Sequence, residues 1–226
     1  MTLKERLNAD FKEAMKKRHV VRRYRDEELD LETVSALKRR IEEDNEKYQV
    51  HVKLETGDSS ALNFAGKLIS KNAVNYFIMS GKESADLNER LGYVGADLML
   101  YAQTLGLNTW WIGGTFSKKA VERKVPNQKV IGIIVVGYGA TAGKRHKQKD
   151  VEAVSSYEGE TPDWFVAGVN AALLAPTAFG KQNFSISGKG QKVTLRCDTC
   201  GEDLGLVKYH FELGAGKENF EWEWSL

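Results

Sequence analysis

Ala172-Leu173-Leu174-Ala175-Pro176-Thr177-Ala178-Phe179-Gly180-Lys181-Gln182-Asn183-Phe184 is the stretch on which the reading of this chain turns. An apolar helix runs into a proline, and helices end at or before the residue preceding one. A loop of small and amide side chains follows, and then a strand. The loop offers the Thr177 hydroxyl, open backbone N–H groups and the carboxamides of Gln182 and Asn183. A flat heterocyclic ligand needs such a rim, with clearance for its face and several hydrogen bonds at its edges. The same residues also suit an ordinary helix exit. Two further segments therefore matter: Arg18-His19-Val20-Val21-Arg22-Arg23-Tyr24, and Gly106-Leu107-Asn108-Thr109-Trp110-Trp111-Ile112-Gly113-Gly114.

The 226 residues suffice for one sizeable domain or two small ones sharing a core. A net charge of +2 is too small for the strongly basic face that nucleic-acid binding shows. No apolar run reaches the ~20 residues of a membrane span. Met1-Thr2-Leu3-Lys4-Glu5-Arg6 carries no apolar signal region, and two cysteines do not make a disulfide scaffold. The cytoplasm is the expected compartment.

Leu3, Leu7, Phe11, Ala14 and Met15 predict a helix over 3–17. Asp30 caps a second, over 31–46, with Leu31, Val34, Leu37 and Ile41 inward. Strands are expected at 49–54, 76–79, 109–112 and 130–136, the last of them central and buried on both faces. A long helix over 84–105 carries Gly92, Gly95 and Ala96, which permit close approach to another helix. After an exposed connection at 155–161 come a helix from Pro162, strands at 183–187 and 192–196, a helix at 203–213 and a terminal strand at 219–224. The succession of elements in the first part echoes in the second. It points to an α+β chain of two related halves, residues 1–150 and 151–226.

Arg18, His19, Arg22 and Arg23 put four potential cations in one short segment, and arginine binds phosphate bidentately. A solvated basic helix end has the same composition. Lys144, Arg145, His146, Lys147 and Lys149 form a second cluster, and the two make one strong anion site only if they converge. Gly113-Gly114 lets a ligand approach the backbone, or simply turns the chain. Gly137-Tyr138-Gly139-Ala140-Thr141-Ala142-Gly143 is one residue too long for a dinucleotide fingerprint, and no amphipathic helix follows it. Cys197-Asp198-Thr199-Cys200 supplies half of a zinc set, so two reduced structural thiols are expected and no metal is assigned. Trp222 and Trp224, with Phe220, pack one face of the last strand.

Together these segments resemble the nitroreductase family of FMN-dependent NAD(P)H oxidoreductases. Arg18 to Tyr24 is similar to the family's N-terminal phosphate motif, Arg-x-Ser-x-Arg/Lys plus an aromatic. Ala175 to Phe184 is similar to its Ala-Pro-Ser-x-x-Asn-x-Gln-Pro-Trp loop. Trp111 to Gly114 resembles the segment whose backbone meets the flavin, and Arg145 and Lys147 resemble the C-terminal phosphate ligands. Val20 replaces the motif serine, Gly180 stands near the asparagine, and Asn183 replaces the proline.

In ordinary members the Pro-Ser loop follows the first motif closely, and FMN lies at a homodimer interface. Here the loop begins far downstream, at Ala175. That arrangement resembles the Thermotoga-type subfamily, in which one chain holds two halves as an intrachain pseudo-dimer, so that a monomer is complete. The resemblance implies a nitroreductase-like fold and one FMN. It implies hydride transfer from NADH or NADPH, in a ping-pong order, to a small electron-poor acceptor such as a nitroaromatic or a quinone. It implies cofactor binding by Arg18, His19, Val20, Arg22, Gly113, Gly114, Arg145, Lys147, Pro176, Thr177, Ala178 and Gln182. The alternative is a flavin-binding or redox-sensing protein without turnover.

Overall fold

In the computed structural model residues 3–197 and 201–223 are described, with side chains from residue 10 onward. Cys200 and Trp224 lie outside the described residues, as do the side chains of Leu3 and Leu7. α1 (Leu3–Lys17) and α2 (Leu31–Tyr48) form where the apolar spacing places them. The Asp30 side chain accepts from the Thr33 N–H and caps α2. Leu37 and Ile41 are buried, but Leu31 is 86% exposed, in the first turn of its helix. β1 spans only Lys53–Glu55, because Gln49 takes a left-handed φ of 52° and closes α2 first.

β2 (Tyr76–Gly81), β3 (Asn108–Ile112) and β4 (Lys129–Gly137) join β1 in an antiparallel sheet of order β1-β2-β4-β3. β4 is interior, as its unbroken apolar run requires. Phe77, Met79, Ile134 and Val136 belong to one core with the long helix α4 (Leu87–Thr104). Tyr76, Ile78, Ile133 and Val135 face the other way, onto Val21, Tyr24, Leu62 and Val121. α3 (Phe64–Leu68) and α5 (Lys118–Glu122) are short helices among the connections.

The connection expected at 155–161 begins instead with a strand. α6 (Val151–Val154) leads into β5 (Ser155–Glu158), which pairs in parallel with β6 (Ser185–Lys189). Its polar composition conceals one covered side chain: the Tyr157 ring lies 4.9 Å from Phe165 and against Gly188. β7 (Lys192–Arg196) and β8 (Glu221–Trp222) complete a sheet of order β5-β6-β7-β8. α7 (Asp163–Ala172) and α8 (Gly201–Ala215) are the helices of this part. Cys197 is disulfide-bonded, which corrects the expectation of two reduced thiols. Among the described residues, no helix is long and apolar enough to cross a membrane.

The two sheets share one apolar core, in which Leu91, Leu98 and Ile134 join Phe165, Val193 and Phe211. At its centre α4 and α8 cross backbone to backbone. A Cβ on Gly92 would overlap the Glu202 carbonyl, and a Cβ on Gly205 would overlap the Glu89 carbonyl. The contact is reciprocal, and so is the sequence. Glu89-Arg90-Leu91-Gly92-Tyr93-Val94 and Glu202-Asp203-Leu204-Gly205-Leu206-Val207 share Glu-x-Leu-Gly-x-Val. Like residues meeting one another's partners is the signature of a local twofold.

Polar networks reinforce this seam. Glu212 on α8 accepts from the Tyr93 hydroxyl and, at 2.8 Å, from Trp222 Nε1. Asp97 on α4 accepts from Arg40 Nε at 2.6 Å and from the Tyr209 hydroxyl at 2.7 Å. Asp44 of α2 is buried against Asp97. Burial first, and then the Asp97 charge, push the Asp44 carboxyl up to about 8, so it keeps its proton at neutral pH.

A raised folded-state value gives stability that is fully present below the unfolded value of about 4 and is lost as pH rises toward 8. Asp44→Asn keeps a donor facing Asp97 without that loss. Chemical denaturation is expected to show the variant more stable than the parent at pH 8, with the gap closing by pH 4. Parallel stability–pH curves would contradict the assignment.

Candidate functional site

Arg18 follows the last turn of α1, with its N–H donating to Ala14 O at 2.7 Å. Its side chain turns inward and is only 3% exposed. Among the described residues its Nε has no hydrogen-bond partner and no carboxylate acts on it. Burial alone pulls this guanidinium down to about 10, still charged at neutral pH. A buried cation without a counter-ion is costly, and an anionic ligand relieves that cost.

The second basic segment comes to the same place. The loop after β4 runs back along residues 19–25, with the Arg25 N–H donating to Tyr138 O and the Ala140 N–H to Arg23 O. Gly143 has a φ of 74° and lies so close that a Cβ there would stand 2.8 Å from His19 Cβ. The His19 imidazole is depressed by burial, then by the charges of Arg18, His146 and Arg145. Groups far apart in sequence thus share one electrostatic field. Arg145 and Lys147 are exposed, whereas His146 is half-buried, its Nε2 lying 2.9 Å from Leu173 O. No helix succeeds Gly137–Gly143 before the single turn of α6, so that stretch is not a strand–turn–helix nucleotide loop.

The Ala175–Phe184 loop closes the other side. The Gln182 carboxamide is buried and spent on the backbone: Oε1 accepts from the Lys149 N–H at 2.8 Å, and Nε2 donates to Leu173 O at 3.0 Å. The Gln182 N–H donates to Thr177 Oγ1 at 3.1 Å. Gln182 and Thr177 therefore pin the loop against the basic segment, leaving Ala178 exposed and Pro176 half-exposed at its rim. Phe179 holds a left-handed φ of 54° and is 97% exposed. The first turn of α8 ties this rim to β3. Asp203 accepts from the Ala178 N–H at 2.9 Å, and Glu202 Oε1 lies beside Gly113. Burial raises the Asp203 carboxyl, opposed by the bond from Ala178.

Gly113 and Gly114 are exposed, and neither has positive φ. A Cβ on Gly114 would meet nothing within 4 Å, so packing does not demand a glycine there. What remains is open space in front of the backbone. Behind it, Thr109 Oγ1 and Trp111 Nε1 are buried without partners among the described residues. Val20 bridges Thr109 and is 40% exposed. Arg22 is exposed and sits 5.3 Å over the Trp110 ring.

The structure thus brings Arg18, His19 and Arg145 together, and sets Pro176, Thr177 and Ala178 across from Gly113. Sequence reasoning missed His146 as a loop anchor, Asp203, and a fully buried histidine on α8, His210. Hydrophobic periodicity carries no signal for a polar residue inside a core helix.

The family described as "Putative TM nitroreductase" matches residues 10–215. A structure described as a "putative nitroreductase" from Thermotoga maritima MSB8 is 20% identical with a TM-score of 0.69, over 92% of this chain and 84% of its own. A "putative nitroreductase in complex with fmn" from Desulfovibrio desulfuricans is 17% identical with a TM-score of 0.53, over 67% of this chain and 98% of its own. A "putative NAD(P)H:FMN oxidoreductase" from Staphylococcus epidermidis ATCC 12228 is 13% identical with a TM-score of 0.52, over 64% of this chain and 93% of its own. No curated protein sequence matches this chain.

Proposed function

This chain belongs to the family described as "Putative TM nitroreductase" and is an oxidoreductase of nitroreductase-like α+β fold; on that premise we propose that it binds one FMN between its two parts and uses NAD(P)H to reduce a small electron-poor acceptor. The observation that carries the reading is Arg18, a buried guanidinium with no counter-ion among the described residues, met by a second basic segment. A phosphate monoester matches that guanidinium in charge and in hydrogen bonding. The names of the Desulfovibrio and Staphylococcus structures agree with FMN and NAD(P)H as the partners.

Arg18 and Arg145 hold the phosphate, flanked by His19, Lys147 and the backbone of Val20. Gly113 and Gly114 let the ring edge approach backbone N–H groups. Pro176, Thr177 and Ala178 line the ring from the other part, and Gln182 holds their loop in place. Arg22, stacked on Trp110, contributes positive charge at the rim. When bound, the cofactor would supply the redox chemistry, the transfer of hydride from NAD(P)H to an acceptor in a ping-pong order. The protein binds, orients and shields, and hydride transfer asks no acid or base of it.

Residues 1–150 and 151–226 act in this proposal as the two halves of a pseudo-dimer. The reciprocal Glu-x-Leu-Gly-x-Val crossing supports it. So does the fact that two single-subunit folds map nearly whole onto only about two thirds of this chain. The test is turnover. NAD(P)H consumption is expected to require both FMN and a second acceptor, such as a nitroaromatic or a quinone. Flavin that binds but supports no turnover with any acceptor would leave a flavin-binding protein instead.

A further inference from the structure

Phe179 is 97% exposed and holds a φ of 54°. A lone exposed apolar side chain is ordinary on a protein surface. A phenyl ring at a left-handed position is not, because glycine or asparagine turns the chain there without strain. Folding therefore gains nothing from this ring. It buries almost no surface, and it strains the backbone that carries it. Such strain persists where the surroundings over-determine the conformation, and it marks functional sites.

The surroundings do so here. The Gly180 N–H donates to Thr177 O at 2.9 Å, and the Lys181 N–H to Ala178 O at 3.1 Å, which closes the turn around Phe179. Before it, the Ala178 N–H is held by Asp203 at 2.9 Å. After it, Gln182 is buried and bonded to Thr177, Leu173 and Lys149. The ring is carried on a turn clamped at both ends.

The clamp also fixes where the ring stands. Asp203 and Glu202 are successive residues of the first turn of α8, and Glu202 Oε1 lies 3.5 Å from the place of a Cβ on Gly113. The turn and the open backbone of Gly113 thus meet the same two residues, and Phe179 is one residue from that contact. Beside the ring stands a cation, Lys181 Nζ, 5.7 Å from its centroid, on an exposed side chain. A flat apolar face next to an ammonium is the complement of a flat ring that bears electron-rich oxygens.

We propose that Phe179 is a specificity-determining residue for the electron acceptor: it stacks on the acceptor's ring, and Lys181 meets the ring's oxygens. The acceptor class this selects is a quinone or a nitroaromatic rather than a compact or aliphatic oxidant. The proposal rests on the FMN-dependent reading above and adds acceptor recognition to it.

The experiment compares the FMN-loaded parent with Phe179→Ser and Phe179→Tyr. Equilibrium dialysis without nucleotide gives the dissociation constant of 2-methyl-1,4-naphthoquinone. Steady-state rates at saturating NAD(P)H give KM and kcat for that quinone and for ferricyanide, which has no ring to stack. Phe179→Ser is expected to weaken the quinone about tenfold in both dissociation constant and KM, the upper end of what an aromatic pair contributes. Its kcat, its KM for ferricyanide and its FMN affinity are expected to stay within about twofold of the parent, and Phe179→Tyr to restore quinone binding. Thermal unfolding of the apo serine variant is expected no lower than that of the parent, since almost no buried contact is lost. An unchanged quinone dissociation constant in Phe179→Ser, equal weakening by Ser and Tyr, or a ferricyanide KM that rises in step overturns the role of Phe179. A parent that shows no FMN-dependent consumption of NAD(P)H overturns the underlying reading instead.

Discussion

Gly205→Ala is expected to remove most of the folding stability of this chain. The added Cβ would overlap the Glu89 carbonyl and stand against the Tyr93 N–H, both of them backbone atoms of α4 that no rotamer change can move. The helices must separate, and the core that they share opens with them. Overpacking of a core by one methyl group costs about 1–3 kcal/mol when side chains yield; with backbone as the obstacle, a loss of about 4 kcal/mol or more is expected. Gly92→Ala meets the Glu202 carbonyl in the same way and predicts a similar loss. Gly114→Ala is the control, because its Cβ enters open space at an unstrained φ. Urea denaturation checks all three. A Gly205→Ala protein within 1 kcal/mol of the parent, about a fivefold change in the equilibrium, would mean that the crossing is not as close as described.

Arg18→Met combined with Arg145→Ala is expected to abolish FMN retention through desalting. Each charge-assisted bond to phosphate is worth about 1.5–3 kcal/mol, so losing both sets weakens binding by roughly 100-fold or more. Stability should move the other way. Methionine fills much of the space of Arg18 without its buried, unpaired charge, and replacing such a charge by an apolar group is commonly neutral or stabilising. The apo double variant is therefore expected to melt no lower than the parent while binding FMN far more weakly. Unchanged FMN affinity would sink the phosphate assignment. A large drop in apo stability would show that Arg18 has an internal partner.

The signals that sequence carried well are those with a period. The stripes of α2 and α4 and the unbroken apolar run of β4 reflect burial on one face or on both, and that is what hydrophobicity reports. β5 was illegible because Ser155-Ser156-Tyr157-Glu158 is an edge strand with a single covered side chain. The convergence of Arg18 with Arg145 had to come from the fold, since charge patterning says nothing about which distant loops meet.

Gln182 shows a different limit. Its amide chemistry was legible, but its backbone partners Leu173 and Lys149 were not. Arg18 looks unremarkable in the sequence and becomes informative only through a polar atom buried without a partner among the described residues. One further signal is present in the sequence. Glu-x-Leu-Gly-x-Val occurs in both α4 and α8, and the repeat marks the residues at which the two helices cross.

The measurement that bears most directly on the account is the visible spectrum of the purified protein, loaded with FMN, desalted, and then mixed anaerobically with NADH or NADPH. Retention of one flavin per chain, with bands near ~370 and ~450 nm that bleach on addition of the nucleotide, is the predicted result. A desalted protein with no flavin, and with no saturable FMN binding on titration, would contradict it.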